Sequence, residues 1–382
     1  MKAPRSLRHA LRCGCLLVLM LLAGGSAHSA ATPAPGGETR DVDVVILLDT
    51  SGSMEGLLDS TRARIWDVTN ELAKMKPKPE LRIGLISFGD GHSTESDGWI
   101  VQHLDLTPDL DAVYSELMSL KIGGSEEFVG RAVDKALDGM SWSRNRDALR
   151  VIFVAGNESA DQGAESHDFR VAVRAARDRG IIVNALFAGN REQGVVEHWH
   201  EVAQGGQGNF SAIDPSTSTI QVATPQDARL LQLNAQLNTT YMPYGPRGKD
   251  GLANQVAQDG NASRLGVESC SSRIVAKGGA LYTNASWDLV DATMSEGFDW
   301  KALPLADLPK ELQSMTREQQ VAAVSAMRTK RESIQTEIQR LSAERETFIR
   351  NARAVESTGL GTAMRQAIRE QAMAKGFTCD GC

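Results

Sequence analysis

Oxygen-bearing side chains at close spacing follow the first strongly apolar run after residue 40. The run Asp49-Thr-Ser-Gly-Ser53 begins with a carboxylate and has hydroxyl groups two and four residues later, directly after the apolar residues 42–48. Mg²⁺ and Mn²⁺ prefer hard oxygen donors of this kind. The pattern therefore predicts a divalent-cation site formed by Asp49, Ser51 and Ser53 in the loop that follows a buried strand.

The segment 41–222 alternates short apolar runs with amphipathic runs. We expect strands at 42–48, 81–88, 99–104, 149–155, 180–187 and 209–213, and helices at 57–75, 109–119, 127–138, 167–178 and 194–203. This alternation predicts an α/β fold, a doubly wound and mainly parallel sheet with helices on both faces. Ligands of such sheets bind beyond the carboxyl ends of the strands, which is where Asp49 falls.

The run Leu47-Leu-Asp-Thr-Ser-Gly-Ser-Met54 resembles the DxSxS signature of the metal-ion-dependent adhesion site in von Willebrand factor A domains. The resemblance extends to the order of strands and helices over 41–222, slightly under half of the chain. It implies a Rossmann-like domain that binds Mg²⁺ or Mn²⁺ and leaves one coordination position for an Asp or Glu carboxylate of a protein partner. Such a site holds a ligand without transforming it, so we expect a binding module and not an enzyme.

Two further elements of the family pattern are altered here. Ser125 stands in a Gly-Gly-Ser loop where the family has a Thr, and Glu126 offers an alternative oxygen donor. The fourth strand usually ends in Thr-Asp-Gly, but Gly156 occupies the aspartate position, with Asn157 and Glu158 as replacement donors. The resemblance thus implies the metal ligands Asp49, Ser51, Ser53, Ser125 and Glu158. The alternative is a structural scaffold whose adhesion site is degenerate and metal-free.

Residues 1–30 have the composition of a signal peptide. Basic residues precede the apolar run 15–23, which is short for a membrane span, and small residues follow it. Residues 31–40 then form a flexible leader, and no later run is apolar and long enough to cross a membrane. The Gly-Asn-Glu variant also resembles a group of exported bacterial A domains. We therefore expect a bacterial protein that is periplasmic or secreted, which disfavours a hydrolase or a cytoplasmic partner of an ATPase.

The formal net charge of the chain is -7. An acidic surface repels phosphate backbones and anionic headgroups, so nucleic acid is an unfavourable partner. Residues 223–310 are rich in Gly, Pro, Asn and Ser, and after one helix at 225–237 we expect an irregular linker or small subdomain there.

Residues 311–375 predict a helical region, which we expect to serve as an arm for assembly or docking. Between 324 and 355 the positions of one stripe are spaced alternately three and four apart, interrupted by Arg331 and Arg345. This spacing is typical of one long helix packed on its own protein, or of a coiled coil that forms a homo-oligomer. In a coiled coil, replacing the two arginines with Leu should strengthen association, because burying a guanidinium group costs desolvation energy.

Cysteine and histidine spacing indicates structural roles. Cys270, Cys379 and Cys382 remain after the signal segment, which allows one disulfide: a staple within the tail 376–382, or a link from Cys270 to that tail. His198 and His200 are two residues apart, so on a helix their rings diverge and packing is favoured over zinc binding. Asp90, after the second strand, is typical of a turn aspartate.

The first prediction concerns the amino terminus of the exported chain. We expect the mature protein to begin between residues 28 and 32, because small residues follow the apolar run there. Amino-terminal sequencing of periplasmic or secreted material measures this directly. An intact Met1 on soluble cytoplasmic protein would contradict the export hypothesis.

Overall fold

Eight strands occur in the part of the chain that the computed structural model describes, residues 39–91, 94, 99–124, 126–162, 168–213, 222–352 and 359–379. These residues belong to one unit, Gly37–Cys382. The strands are β1 (Thr39–Asp49), β2 (Met75–Lys76), β3 (Lys78–Phe88), β4 (Ile100–Thr107), β5 (Leu149–Gly156), β6 (Ile182–Ala188), β7 (Gln207–Ile213) and β8 (Thr378–Cys379).

Six of these strands form one sheet in the order β4-β3-β1-β5-β6-β7. All neighbours pair in parallel except β4, which is an antiparallel edge strand on β3. Every residue of β1 from Val42 to Asp49 is buried, as a central strand covered on both faces requires. The mainly parallel α/β sheet predicted from the sequence is therefore confirmed.

Six helices accompany the sheet: α1 (Glu55–Leu72), α2 (Leu110–Ser119), α3 (Val129–Gly139), α4 (Phe169–Asp178), α5 (Arg191–Val196) and α6 (Trp199–Gly205). Alternate residues of β1 point to opposite faces of the sheet. Val44 and Ile46 belong to an apolar core shared with α1 and α2. Val45 and Leu47 belong to a second core shared with α3, α4 and α6.

The segment 223–310 is more regular than the sequence predicted. It contains α7 (Asp227–Asn238), which was expected, and also α8 (Gly248–Arg264), α9 (Val267–Lys277), α10 (Leu289–Ala292) and the 3₁₀ turn Leu305–Asp307. Helix α8 has no apolar stripe that would reveal it, because its buried positions include Gln255 and Gln258. Buried polar contacts of this kind leave no hydrophobic period to detect in α8.

One buried ionic cluster ties this segment to the sheet domain. The guanidinium group of Arg273 in α9 contacts Asp111 of α2 at 2.6 Å and Asp259 of α8 at 2.7 Å. The Lys277 ammonium group also contacts Asp259, at 2.8 Å, and these cations lower the pKa of the Asp259 carboxyl. Tertiary contacts thus hold this segment in a regular structure that helix propensity alone does not predict.

The stripe is buried within its own chain from Val324 to Arg345, with Met327 partly buried, whereas Phe348 is 40% exposed and position 355 lies outside the described residues. After α11 (Lys310–Gln313), one 36-residue helix, α12 (Arg317–Ala352), packs on α7, α9 and α10. Val324, Ile334, Ile338 and Leu341 are buried there. This is the first of the two interpretations of the stripe, the helix that packs on its own protein.

The two arginines of the stripe are ion-pair partners. Arg331 contacts Asp288 and Asp291, each at 2.6 Å, and Arg345 contacts Asp227 at 3.0 Å. Each arginine thus has a carboxylate partner in its own chain, so its burial does not leave the uncompensated charge from which the prediction for a coiled coil was argued.

The carboxyl-terminal region returns to the sheet domain. Helix α13 (Leu360–Ala374) packs on α1 and contacts β5 and β7, and β8 pairs antiparallel with β2. The Gln371 amide exchanges hydrogen bonds of 2.6 and 3.2 Å with Asn184 of β6. Cys379 is disulfide-bonded, but Cys270 is a free thiol, so the alternative link from Cys270 to the tail is wrong. Cys382, the other half of the expected tail staple, lies outside the described residues.

Within the described residues, we find no helix that is both long and apolar enough to cross a membrane.

The second prediction tests the buried arginine of α12. Arg331→Leu should lower the free energy of unfolding by about 3–5 kcal/mol, because it leaves Asp288 and Asp291 as uncompensated buried charges. Urea unfolding followed by circular dichroism measures the change. Arg328→Leu is the matched control on the same helix, since Arg328 makes an exposed pair with Glu332 and should change stability by less than about 1 kcal/mol. Equal effects of the two substitutions would contradict the structural role of Arg331.

Candidate metal site

The first loop holds Asp49 at the carboxyl end of the central strand β1. The Asp49 side chain is fully buried, and its Oδ1 accepts a hydrogen bond from the backbone N–H of Ser51 at 2.7 Å. Its Oδ2 is also buried and has no hydrogen-bond partner among the described residues. A buried carboxylate oxygen without a donor is unfavourable. This atom therefore offers a position for a cation, and the donor chemistry fits the group that the resemblance implies.

The hydroxyl groups of the first loop lie where the spacing predicted them. The Oγ atoms of Ser51 and Ser53 are 3.4 Å apart, and the backbone N–H of Thr50 donates to the carbonyl of Phe88 at 2.9 Å. Ser51 is buried and Ser53 is exposed. Oxygen atoms that suit a divalent cation thus lie along the loop, from the buried Ser51 to the exposed Ser53.

The second loop is fastened to the first through the backbone. The N–H of Gly123 donates to the carbonyl of Thr50 at 2.8 Å, and the N–H of Gly52 donates to the carbonyl of Gly124 at 3.4 Å. Gly124 has a φ of +102°, and a Cβ there would lie 2.2 Å from the carbonyl oxygen of Gly89, so only glycine fits. Ser125 itself lies outside the described residues.

The third loop meets the first through Asn157. Its Nδ2 donates to the Oγ of Ser53 at 2.9 Å. Glu158 is exposed, and its Oε2 accepts a hydrogen bond from Gln162 at 3.3 Å. The Glu158 side chain therefore lies at the rim and acts on the buried carboxyl groups through its charge.

Glu127 is a site residue that sequence reasoning missed. It follows the second loop and is 3% exposed, whereas the neighbouring Glu126, the donor that we weighed from the sequence, is exposed. A Cβ built on Gly89 would lie 3.0 Å from Asp49 Oδ1, 3.2 Å from Glu127 Cγ and 3.4 Å from Ser51 Cβ. These three side chains therefore line one small space. The only sequence signal was the pair of glutamates, which does not reveal which one turns inward.

Burial controls the ionisation of the two carboxyl groups. It raises the pKa of Asp49, and the nearby charge of Glu158 adds to the rise. Burial, followed by repulsion from Asp49, raises the pKa of Glu127 to about 9. The site therefore holds two acidic groups that cannot both ionise readily without a neighbouring positive charge.

Trp199 occupies the space beside Gly156, the position where the family has its aspartate. A Cβ on Gly156 would lie 2.8 Å from Cη2 and 2.9 Å from Cζ2 of Trp199, and 3.2 Å from Asp49 Oδ2. Trp199 is 1% exposed, and its Nε1 donates to the carbonyl of Glu158 at 2.6 Å. The indole ring thus leaves no room for a side chain at position 156.

The remaining candidates from the sequence have other surroundings. His198 Nδ1 is 2.9 Å from Glu201 Oε1, while the ring of His200 packs edge-on against Phe210. Asp90 is buried and accepts a hydrogen bond from the Ser87 hydroxyl at 3.1 Å. No group of three or more His, Cys, Asp or Glu side chains suited to a metal ion occurs in the described parts of the chain. Among the described residues, the carboxyl groups that line the space beside Gly89, together with the Ser51 side chain, are those of Asp49 and Glu127.

Comparison with known proteins supports the resemblance for the first half of the chain. Residues 43–224 match the family model described as the von Willebrand factor type A domain. The match confirms the predicted domain type over these residues. No curated protein is significantly similar to the chain.

Several solved structures are similar to part of the chain. A conserved hypothetical protein BatB from Bacteroides thetaiotaomicron is 22% identical, with 45% of this chain and 90% of that chain covered and a TM-score of 0.36. An aerotolerance-related membrane protein from Bacteroides fragilis is 21% identical, with 45% and 92% covered and a TM-score of 0.32. Proximal thread matrix protein 1 from the mussel byssus, described with a zinc-occupied MIDAS motif, is 11% identical, with 47% and 43% covered and a TM-score of 0.35.

The third prediction tests the contact between Gly156 and Trp199. Gly156→Ala should lower the free energy of unfolding by about 1–3 kcal/mol, because the added methyl group overpacks against the indole ring. Gly52→Ala is the control, since a Cβ there meets no atom within 4 Å and should change stability by about 0.5 kcal/mol or less. Chemical denaturation of both variants measures the difference. Wild-type stability of Gly156→Ala would show that Trp199 does not fill this position.

Proposed function

We propose that this chain is an exported binding protein that captures a protein partner through a divalent cation. The cation, Mg²⁺ or Mn²⁺, is held at the carboxyl end of β1, and the partner provides an Asp or Glu carboxylate. The observation that carries this proposal is the buried Asp49 Oδ2, which has no hydrogen-bond partner among the described residues. The proposed ligands are Asp49, Ser51, Ser53, Ser125 and Glu158.

The ligand types favour binding over catalysis. Hydroxyl groups are neutral donors, so a cation bound by them and by few carboxylates stays electrophilic and attracts a further carboxylate. Von Willebrand factor A domains bind protein partners, and residues 43–224 match that family. Glu158 lies at the rim, so we assign it to the cation through a water molecule. We propose no reaction at this site.

Export and the helical region complete the proposal. The basic, apolar and small residues of 1–30 support a signal peptide, so the partner would be met in the periplasm or outside the cell.

Helix α12 buries its stripe on α7, α9 and α10, so we assign the helical region to support of the sheet domain. The competing function is a scaffold without a metal, which the loss of an aspartate at Gly156 favours.

The fourth prediction separates these two functions. Calorimetric titration of the signal-free chain should show binding of Mn²⁺ and Mg²⁺, and Asp49→Asn should abolish it. Asn keeps the acceptor for the Ser51 N–H but removes the negative charge that the cation needs. Asp59→Asn is the control, because Asp59 is exposed on α1 and pairs only with Arg62 among the contacts described. No binding by the wild type at millimolar Mg²⁺ would leave the scaffold function.

Partner chemistry is tested with immobilised peptides. Peptides that contain Asp or Glu should retain the wild-type chain in Mg²⁺ and release it in chelator, and their Asn or Gln counterparts should not retain it. Asp49→Asn should not bind either set. Chelator-resistant retention by both sets would contradict capture through the cation.

A further inference from the structure

The loss of the third-loop aspartate removes one negative charge from the proposed cation site. Trp199 excludes any side chain at position 156, because its ring atoms lie within 2.9 Å of the point where the Cβ of that side chain would lie. The proposed cation therefore needs a second carboxylate from elsewhere in the fold. Glu158 does not provide it directly, since it is exposed and bonded to Gln162.

Glu127, unlike Glu158, is buried beside Asp49. Its side chain is 3% exposed, and it lines the same small space as Asp49 Oδ1 and the Cβ of Ser51, beside Gly89. The glycines of the second loop bring it there, because Gly124 fits closely against the Gly89 carbonyl. Gly91 also donates to the carbonyl of Gly123 at 2.8 Å. The second loop is thus fixed both to the first loop and to the segment that follows β3.

We propose that Glu127 is a direct ligand of the cation and replaces the carboxylate that Trp199 excludes at Gly156. This inference rests on the proposed function. In this arrangement the carboxylate comes from the second loop, and the site contains Asp49, Glu127 and the hydroxyl groups of the first loop. Two buried carboxylates and one divalent cation balance in charge, which favours burial of the group as a whole.

Glu127→Gln tests the assignment in the full signal-free chain. The substitution keeps the size of the side chain and removes its charge, so Mn²⁺ affinity measured by calorimetry should fall at least 10-fold, since even indirect ligand contacts change affinity by about 10–100-fold. The melting temperature in chelator should be unchanged or higher, because a carboxyl group is removed from a buried site. Glu126→Gln is the matched control, since Glu126 is the exposed neighbour, and it should keep wild-type affinity.

A swap of the carboxylate tests the role of Trp199. Trp199→Phe removes Cζ2 and Cη2, the two atoms that block position 156, and Gly156→Asp then restores the family's aspartate. The triple variant Glu127→Gln, Trp199→Phe, Gly156→Asp should bind Mn²⁺ at least 10-fold more tightly than Glu127→Gln alone. The same Gly156→Asp change without Trp199→Phe should not.

The outcomes separate this inference from the proposed function. If the wild type binds Mn²⁺ and Glu127→Gln binds it equally well, Glu127 is not a ligand and only this inference is overturned. If Glu127→Gln lowers the melting temperature in chelator and the triple variant regains no affinity, Glu127 has a packing role and the inference is again overturned. If the wild type binds no divalent cation, both fall together.

Discussion

The structure depends on covering both faces of a six-stranded sheet. One face is covered by α3, α4 and α6, which the chain supplies between its strands. On the other face, α1 and α2 lie in sequence order, but the third helix is α13, which begins at Leu360, far beyond the last sheet strand at Ile213. Apolar strands buried on both sides require such a layer. The helical half of the chain therefore lies between the last sheet strand and α13 in the sequence. It folds back so that α13 packs on the sheet.

Buried ion pairs join the helical half of the chain to the helices of the sheet domain. Arg273 joins α9 to Asp111 of α2, and Arg64 of α1 contacts Glu268 of α9 at 2.5 Å. Buried ion pairs add little net stability, since desolvation offsets their attraction, but breaking one leaves an unpaired charge at a cost of about 3–5 kcal/mol. A shift of α9 that separated these pairs would therefore be costly, because it would leave buried charges without partners.

The sequence predicted those parts of the fold in which hydrophobic spacing carries the information. The strands β1 and β5 are nearly continuous apolar runs, interrupted at Asp43 and Arg150, and the loop from Asp49 to Ser53 begins at the end of β1. Helix α8 escaped prediction because its buried positions include Gln255 and Gln258, whose partners come from tertiary contacts. Glu127 escaped for a related reason. Its burial depends on Gly124 and Gly89 closing two loops on each other, and no local pattern distinguishes it from Glu126.

The site and the returning helix meet through α1. This helix begins at Glu55, just after the first loop, and α13 packs along it. The contact is close, since a Cβ on Gly361 would lie 2.8 Å from the Asp67 carboxylate. Two acidic groups buried at Asp49 and Glu127 oppose folding when no cation neutralises them. Because α1 begins directly after the first loop, the packing of α13 on α1 helps to hold that loop, with Asp49 and the serine hydroxyl groups, in place.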